Sequence, residues 1–321
     1  MTIKLRESIR RRPGHRSAPP ELSIVVVFYN MEREGPRTLL SLIPPFQRNV
    51  DEIDYEIIGI EHGSSSPVPV PDDPELNERL RLIRYETAPV SPVKAINDAV
   101  RNECRGRYVM VYIDGARIGS SHLVSQTLKS CRSVTNPFVA TLSWHLGPDV
   151  QMQSVKQGYS QLVEDEILER IDWYNHPEGL FGESVLAGSC RFGYFHPIAE
   201  SNAFTLERER FLSIGGYMEG FASPGGGLAN LEIFSRIVEQ SDTNTITLIG
   251  DGTFHQYHGG AATSDESYFD AAQPEHIEVT GRDYRFPRYD TLYRARFTRE
   301  SQHFLQTSMD ALSATGGKER E

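Results

Sequence analysis

Arg107-Tyr108-Val109-Met110-Val111-Tyr112-Ile113-Asp114-Gly115-Ala116 drives an apolar strand straight into a carboxylate. A strand apolar on both faces is one covered on both sides, and its open end is where an α/β sheet places ligand chemistry. Asp114 is therefore the first candidate functional residue. Two earlier strands end in the same style. Ser23-Ile24-Val25-Val26-Val27-Phe28 runs into Tyr29-Asn30, and Tyr55-Glu56-Ile57-Ile58-Gly59-Ile60 runs into Glu61-His62-Gly63-Ser64-Ser65-Ser66. Three parallel strands with polar C-terminal ends predict one crevice.

The chain's 321 residues, 38% hydrophobic and 24% charged, are enough to bury a large core. No apolar run approaches the roughly 18 residues of a membrane span. The basic start, with Lys4, Arg6, Arg10, Arg11, Arg12 and Arg16, has no apolar segment behind it to make a signal peptide. A cytoplasmic protein is expected. Residues 1–20 end in Pro19-Pro20 and read as a flexible basic arm, solvated or in peripheral contact with a membrane surface. Cys104, Cys131 and Cys190 are odd in number and widely spaced, which fits reduced thiols better than a disulfide framework or a zinc site. A net charge of -11 opposes nucleic-acid binding, which needs a basic surface to release counterions.

Strand and helix alternate from Glu21 to Ala116. Thr38–Ile43 reads as the first crossover helix, and the proline-rich stretch from Ser64 to Pro74 as a loop over the crevice. A second helix is predicted from a Ser91-Pro92 start through Cys104. Its stripe of Val93, Ile96 and Val100 leaves Lys94 and Asn97 together on a neighbouring face, able to point at a ligand. Further on, one long amphipathic helix is predicted from Ser154 to Trp173, with Val155, Tyr159, Leu162, Ile167 and Ile171 inward. A short strand spans Asn202 to Leu206. A late strand, Thr245–Ile249, runs into a segment holding His255 and His258. Imidazole at a strand end can ligate a cation or donate to a diphosphate oxygen. His258 is favoured because the glycines beside it permit close backbone approach.

In this order the segments resemble the family 2 glycosyltransferases of the GT-A fold, over roughly residues 21 to 265. Ser23–Asn30 resembles that family's first strand, which receives the nucleotide base, and Tyr55–Ser66 its second strand and turn. Lys94-Ala95-Ile96-Asn97 resembles the Ala-Arg-Asn helix, and Asp114 falls where the Asp-x-Asp metal motif begins. Phe211–Phe221 is similar to the acceptor-side Phe-x-x-x-Gly-Gly-Phe-x-Glu-x-Phe segment. The resemblance implies an α/β chain of GT-A type, a single nucleotide-sugar-binding α/β/α sandwich. Residues 21–116 would form its nucleotide-binding half, 117–265 its acceptor half, and 266–321 a C-terminal extension.

The departures carry chemistry. Glu61-His62 stands where the family has two aspartates. Asp114-Gly115-Ala116 stands where it has Asp-x-Asp, and one carboxylate fewer should weaken retention of a divalent cation. The family's Glu-Asp pair, whose aspartate is the base, maps onto Ala229-Asn230, and asparagine cannot accept a proton at neutral pH. Another carboxylate, Glu232 or Glu200, must then take the acceptor proton while Asn230 orients the acceptor. Glu232 and Arg236, at i and i+4, read equally well as a helix ion pair.

The implied function is inverting transfer of a sugar, of the hexosyltransferase class, from a nucleotide diphosphate to a hydroxyl of a glycan or glycolipid. The donor crevice would comprise Phe28, Tyr29, Asn30, Glu61, Gly63, Ser64, Lys94, Asn97, Asp114 and Gly115. Asp114 and His258 would hold manganese or magnesium if the reaction uses one. The missing carboxylates leave a second reading, a degenerate module that binds a carbohydrate or sugar nucleotide without turnover.

Overall fold

Strands that are apolar on both faces need a layer on each side, and the fold supplies both. The computed structural model describes residues 4–5, 18–259 and 268–316. Arg6, Arg10, Arg11, Arg12 and Arg16 of the basic arm lie outside the described residues, as does Gly260. The strands are β1 (Lys4–Leu5), β2 (Leu22–Phe28), β3 (Tyr55–His62), β4 (Leu80–Thr87), β5 (Tyr108–Tyr112), β6 (Arg117–Gly119), β7 (Pro137–Leu146), β8 (Ser184–Leu186), β9 (Ala203–Glu207), β10 (Asn244–His255) and β11 (Leu292–Ala295). They make one sheet in the order β1-β4-β3-β2-β5-β9-β7-β10-β11, with β6 paired to β10 and β8 to β7. The fold is mixed α/β.

Period-two alternation divides the core between the two faces of the sheet. Ile24, Val26, Phe28, Ile57, Met110 and Tyr112 enter one buried cluster, while Val25, Val27, Ile58, Ile60, Val109 and Val111 enter the other. β4, β3, β2 and β5 run parallel. β9 is inserted antiparallel between β5 and β7, and β10 returns parallel to β7. The C-terminal ends of β2, β3, β5, β7 and β10 therefore share one edge of the sheet with the start of β9. That edge is the predicted crevice.

Two sequence expectations are revised. The long helix is two, Gln151–Lys156 and Gln161–Arg170, because Gly158 adopts a left-handed φ of 93° and Ser160 caps the second helix. Val155 and Leu162 are consequently exposed. The helix predicted from Ser91 begins at Val93, and Ser91 donates its hydroxyl to the Phe221 carbonyl instead of capping. Trp144 is fully buried and stacks on Phe254 at 5.3 Å.

The two chain ends also join the sheet. Lys4–Leu5 pairs antiparallel with β4. β11, from the segment read as an extension, pairs parallel with β10. Arg296, just past β11, reaches the buried Asp251 in β10, with Nε 3.0 Å from Oδ2 and Nη2 3.2 Å from Oδ1. Among the described residues no helix is long and apolar enough to cross a membrane.

Candidate active site

Asp114 follows β5 directly, and its two oxygens do different work. Oδ1 accepts from the Ala116 N–H at 2.9 Å, the turn contact expected of Asp-Gly. Oδ2 faces His255 Nε2 at 2.9 Å, His258 Nε2 at 3.6 Å and Arg117 Nε at 3.5 Å. β6 and β10 pair Arg117 with His255 across the ladder, which sets this cluster at the crevice. Ligand atoms of Asp114, His255 and His258 all lie within 4.8 Å of one another, the one such group among the described residues.

The protonation of His255 follows from Gln151, the first residue of its helix. Gln151 Nε2 donates to the His255 carbonyl at 2.9 Å, which turns its Oε1 toward His255 Nδ1 at 2.6 Å. An amide oxygen only accepts, so the hydrogen-bond network assigns the ring proton to Nδ1. Burial, and then the Arg117 guanidinium, pull the His255 pKa down to about 4 against the attraction of Asp114. With its proton on Nδ1, a neutral His255 turns an Nε2 lone pair to a carboxylate oxygen, and either a second proton on Nε2 or a cation shared by the two atoms satisfies that contact. Burial works to raise Asp114, but the two histidines overcome it and hold the carboxyl well below its usual range. Burial works to lower His258, and Asp114 raises it above the ordinary value. The donor set fits a divalent cation.

A second charge cluster holds the His258 segment from behind. Glu164 is fully buried and accepts from the Tyr257 N–H on both oxygens, at 2.9 and 3.1 Å. Arg33 Nη1 donates to the Tyr257 carbonyl at 3.3 Å, while the same guanidinium pairs with Glu34, Glu164 and Asp165. Tyr257 is thus clamped on both sides of its peptide unit, one residue before His258.

Along the parallel block, Tyr29 is 58% exposed at the end of β2. Asn30, in the left-handed region at φ 52°, receives the Ser65 N–H at 2.9 Å and gives its own N–H to Ser64 Oγ at 2.9 Å. These contacts join the ends of β2 and β3 into one wall. Glu61 is buried and braces the following loop, accepting from the Ser64 hydroxyl and from the Val68 N–H. Gly63 makes the turn at φ 73°.

Several residues expected at the donor are placed in packing contacts or surface pairs. Phe28 is fully buried. Gly115 is boxed in, since a Cβ there would lie 2.4 Å from the Phe28 ring and 2.5 Å from the Val27 carbonyl. Asn97 spends both ends of its amide on the Tyr217 peptide, at 2.9 Å each, and packs against Gly216. Lys94 stays at the surface, paired with Asp98 at 3.1 Å and Glu219 at 3.7 Å. The two were expected to face a ligand together; Asn97 is turned into the fold.

In the half expected to take the acceptor, the register of β9 against β5 sets Glu200, Ser201 and Asn202 beside the strand end that carries Asp114. Asn230 Nδ2 donates to Glu200 Oε2 at 3.0 Å and to the Ser201 carbonyl at 3.3 Å, and its Oδ1 accepts from Tyr217 at 3.3 Å. Glu200 Oε1 has no hydrogen-bond partner among the described residues. Glu232 differs: it is buried, with Oε1 and Oε2 on Arg236 at 2.7 and 3.0 Å. Arg236 also donates to the carbonyls of Ile214 and Gly216, so the i,i+4 pair fastens the turn that carries Tyr217.

Sequence reasoning missed Arg117, Gln151 and the ligand geometry of His255. Arg117 follows Asp114 by three residues and was readable as a charge entering a short strand. Gln151 lies 104 residues from His255, and no local pattern marks it.

No family model matches the chain, and no curated protein does. Among solved structures it is similar to S. aureus TarS 1-349 in complex with UDP-GlcNAc, at 12% identity over 91% of this chain and 71% of that one, with a TM-score of 0.46. The S. aureus TarS structure matches at 12% identity and a TM-score of 0.48, over 91% of this chain. The chain spans 43% of that protein's length. M. tuberculosis glucosyl-3-phosphoglycerate synthase matches at 11% identity over 83% of this chain and 82% of that one, with a TM-score of 0.44. Each likeness is partial, and the functional reading rests on the chain's own residues.

Proposed function

We propose that the protein is a nucleotide-sugar-dependent glycosyltransferase of GT-A type, acting in the cytoplasm on a glycan or glycolipid hydroxyl. The observation that carries the reading is the convergence of Asp114, His255 and His258 at the end of β5, beside the wall formed by Tyr29, Asn30 and Ser64. The sequence resemblance gives the same elements in the same order, and three buried free cysteines suit a reducing compartment.

The exposed Tyr29 ring offers a stacking face for the base, with Asn30 and Ser64 as the adjoining wall. Asp114, His255 and His258 would hold a divalent cation, which would supply positive charge to the leaving diphosphate. Arg117, fixed by Ser143 at 2.8 Å, adds a charge that needs no reorganisation as the leaving group departs. Of the two carboxylates considered, Glu200 takes the proton of the acceptor hydroxyl onto its unpartnered oxygen. Asn230 does not touch the acceptor in this reading; it holds Glu200 in place. Attack by the acceptor hydroxyl on the anomeric carbon in a single displacement inverts that centre. Residues 21–116 then hold the nucleoside, residues 117–265 hold the acceptor and lend Arg117, His255 and His258 to the donor diphosphate, and the C-terminal residues complete the sheet.

The test is donor turnover. Incubating the full chain with UDP-, GDP-, TDP- and CDP-sugars and following release of the nucleotide should reveal slow hydrolysis of one of them. Donor binding without release in any acceptor screen would move the protein to the class of non-catalytic sugar-nucleotide binders.

A further inference from the structure

The strand end that carries Asp114 has no place for a second oxygen ligand. At position 115 any side chain collides with Phe28 and the Val27 carbonyl, and position 116 is fully buried in an apolar cluster. The remaining ligands come from β10 and the residues after it, and both are imidazoles. His255 and His258 stand with ring centroids 5.1 Å apart, and their Nε2 atoms turn to the same Asp114 oxygen. Replacing a carboxylate by imidazole changes the ion that a site prefers. Magnesium wants oxygen ligands and near-octahedral order, whereas zinc and cobalt accept nitrogen readily and bind more tightly along the first-row series. The site also carries one formal negative charge from its ligands, with Arg117 beside it, and a lower ligand charge weakens hard cations most.

We propose that Asp114, His255 and His258 form a two-histidine, one-carboxylate centre that selects a zinc- or cobalt-class ion over magnesium, with Gln151 as the positioning residue that keeps His255 Nε2 free to ligate. Gln151 does this by accepting the Nδ1 proton at 2.6 Å while its amide nitrogen is anchored on the His255 carbonyl. Its own N–H donates to His145 Nδ1 at 3.0 Å, so the helix start is fixed on β7 as well. Outer partners of this kind orient a ligating histidine and set its tautomer. The inference rests on the transferase reading only in taking this cluster as the cation site.

The experiment uses the full chain stripped with chelator and titrated with zinc, cobalt or magnesium chloride alone, without nucleotide. Heat of binding gives affinity and stoichiometry, and the visible absorption of bound cobalt reports nitrogen ligation. Zinc and cobalt should bind one per chain, on the order of 100-fold more tightly than magnesium. His258→Ala and His255→Ala should each weaken zinc by at least about tenfold, and His258, the less buried of the two, is the variant better placed to keep its fold. Gln151→Leu should weaken zinc by roughly 10- to 100-fold, while Gln151→Glu, which still accepts the Nδ1 proton but loses the donor to the His255 carbonyl, should weaken it less than leucine does. Metal-free melting curves show that each variant is folded. Magnesium binding as tightly as zinc overturns the proposal, as does zinc affinity that survives both histidine substitutions. Nucleotide titrations run separately distinguish the two failures. Nucleotide bound with magnesium alone sinks the selectivity and leaves the transferase; specific zinc binding with no nucleotide bound under any ion does the reverse.

Discussion

Glu200 meets Asn230 through one oxygen and leaves the other without a hydrogen-bond partner among the described residues, while Glu232 gives both of its oxygens to Arg236. The two should respond differently to the same change. Glu200→Gln is expected to lower kcat by about 10²- to 10⁴-fold, the range for loss of a general base, with nucleotide affinity unchanged. Glu232→Gln leaves the buried end of Arg236 poorly compensated, so it should cost about 1–3 kcal/mol in denaturant unfolding and alter kcat little. Equal loss of turnover in the two variants would contradict this division. Asp114 was legible because an apolar strand aimed at it; the tautomer of His255 was not, because Gln151 reaches it only through the tertiary fold.

Among the elements, the helices Glu34–Ser41 and Gln161–Arg170 are joined by the cluster of Arg33, Glu34, Glu164 and Asp165. That junction holds the Tyr257 peptide and, through it, the segment with His258. Glu164→Ala removes one partner of a buried pair, a change that costs about 3–5 kcal/mol. It should also weaken zinc binding, since the His258 segment loses its anchor; a variant with lowered stability and undiminished metal affinity would show that the clamp does not reach the site. The strands of this region were readable from their apolar runs. The helix break at Gly158 was not, because the stripe of apolar residues continues across it and only the backbone reversal separates the two helices. The i,i+4 spacing of Glu232 and Arg236 was visible in sequence, yet whether it meant catalysis or a fastening depended on the turn at Gly215-Gly216-Tyr217 packed against it.

For the whole molecule, His62, His122 and His145 set the response to acid. Burial comes first in lowering the pKa of all three, to about 4 for His122 and well below the ordinary value for His145. A histidine whose folded pKa lies below its unfolded value of about 6.5 binds its proton more readily when unfolded, so stability rises with pH through that interval. The His122 contribution is complete above about pH 6.5 and is lost as pH falls toward about 4, and His62 and His145 act in the same direction. His258, raised by Asp114, works in the opposite direction. The melting temperature of the full chain should therefore fall between pH 7 and pH 5; a flat or rising profile would show that these rings are hydrated in solution. That β2, β3 and β5 open onto one crevice could be anticipated from their polar ends. The joining of Leu292–Ala295 to the sheet could not, because a short edge strand of exposed residues has no apolar alternation to announce it.

The claim that the crevice holds a sugar-nucleotide donor is tested most directly by calorimetric titration of the full chain with UDP, GDP, TDP and CDP, each with and without a divalent cation, and repeated with Asp114→Asn. One nucleotide should bind at one site per chain, more tightly with the cation, and the gain from the cation should vanish in the variant. Absence of binding by all four nucleotides under every ion would contradict the account.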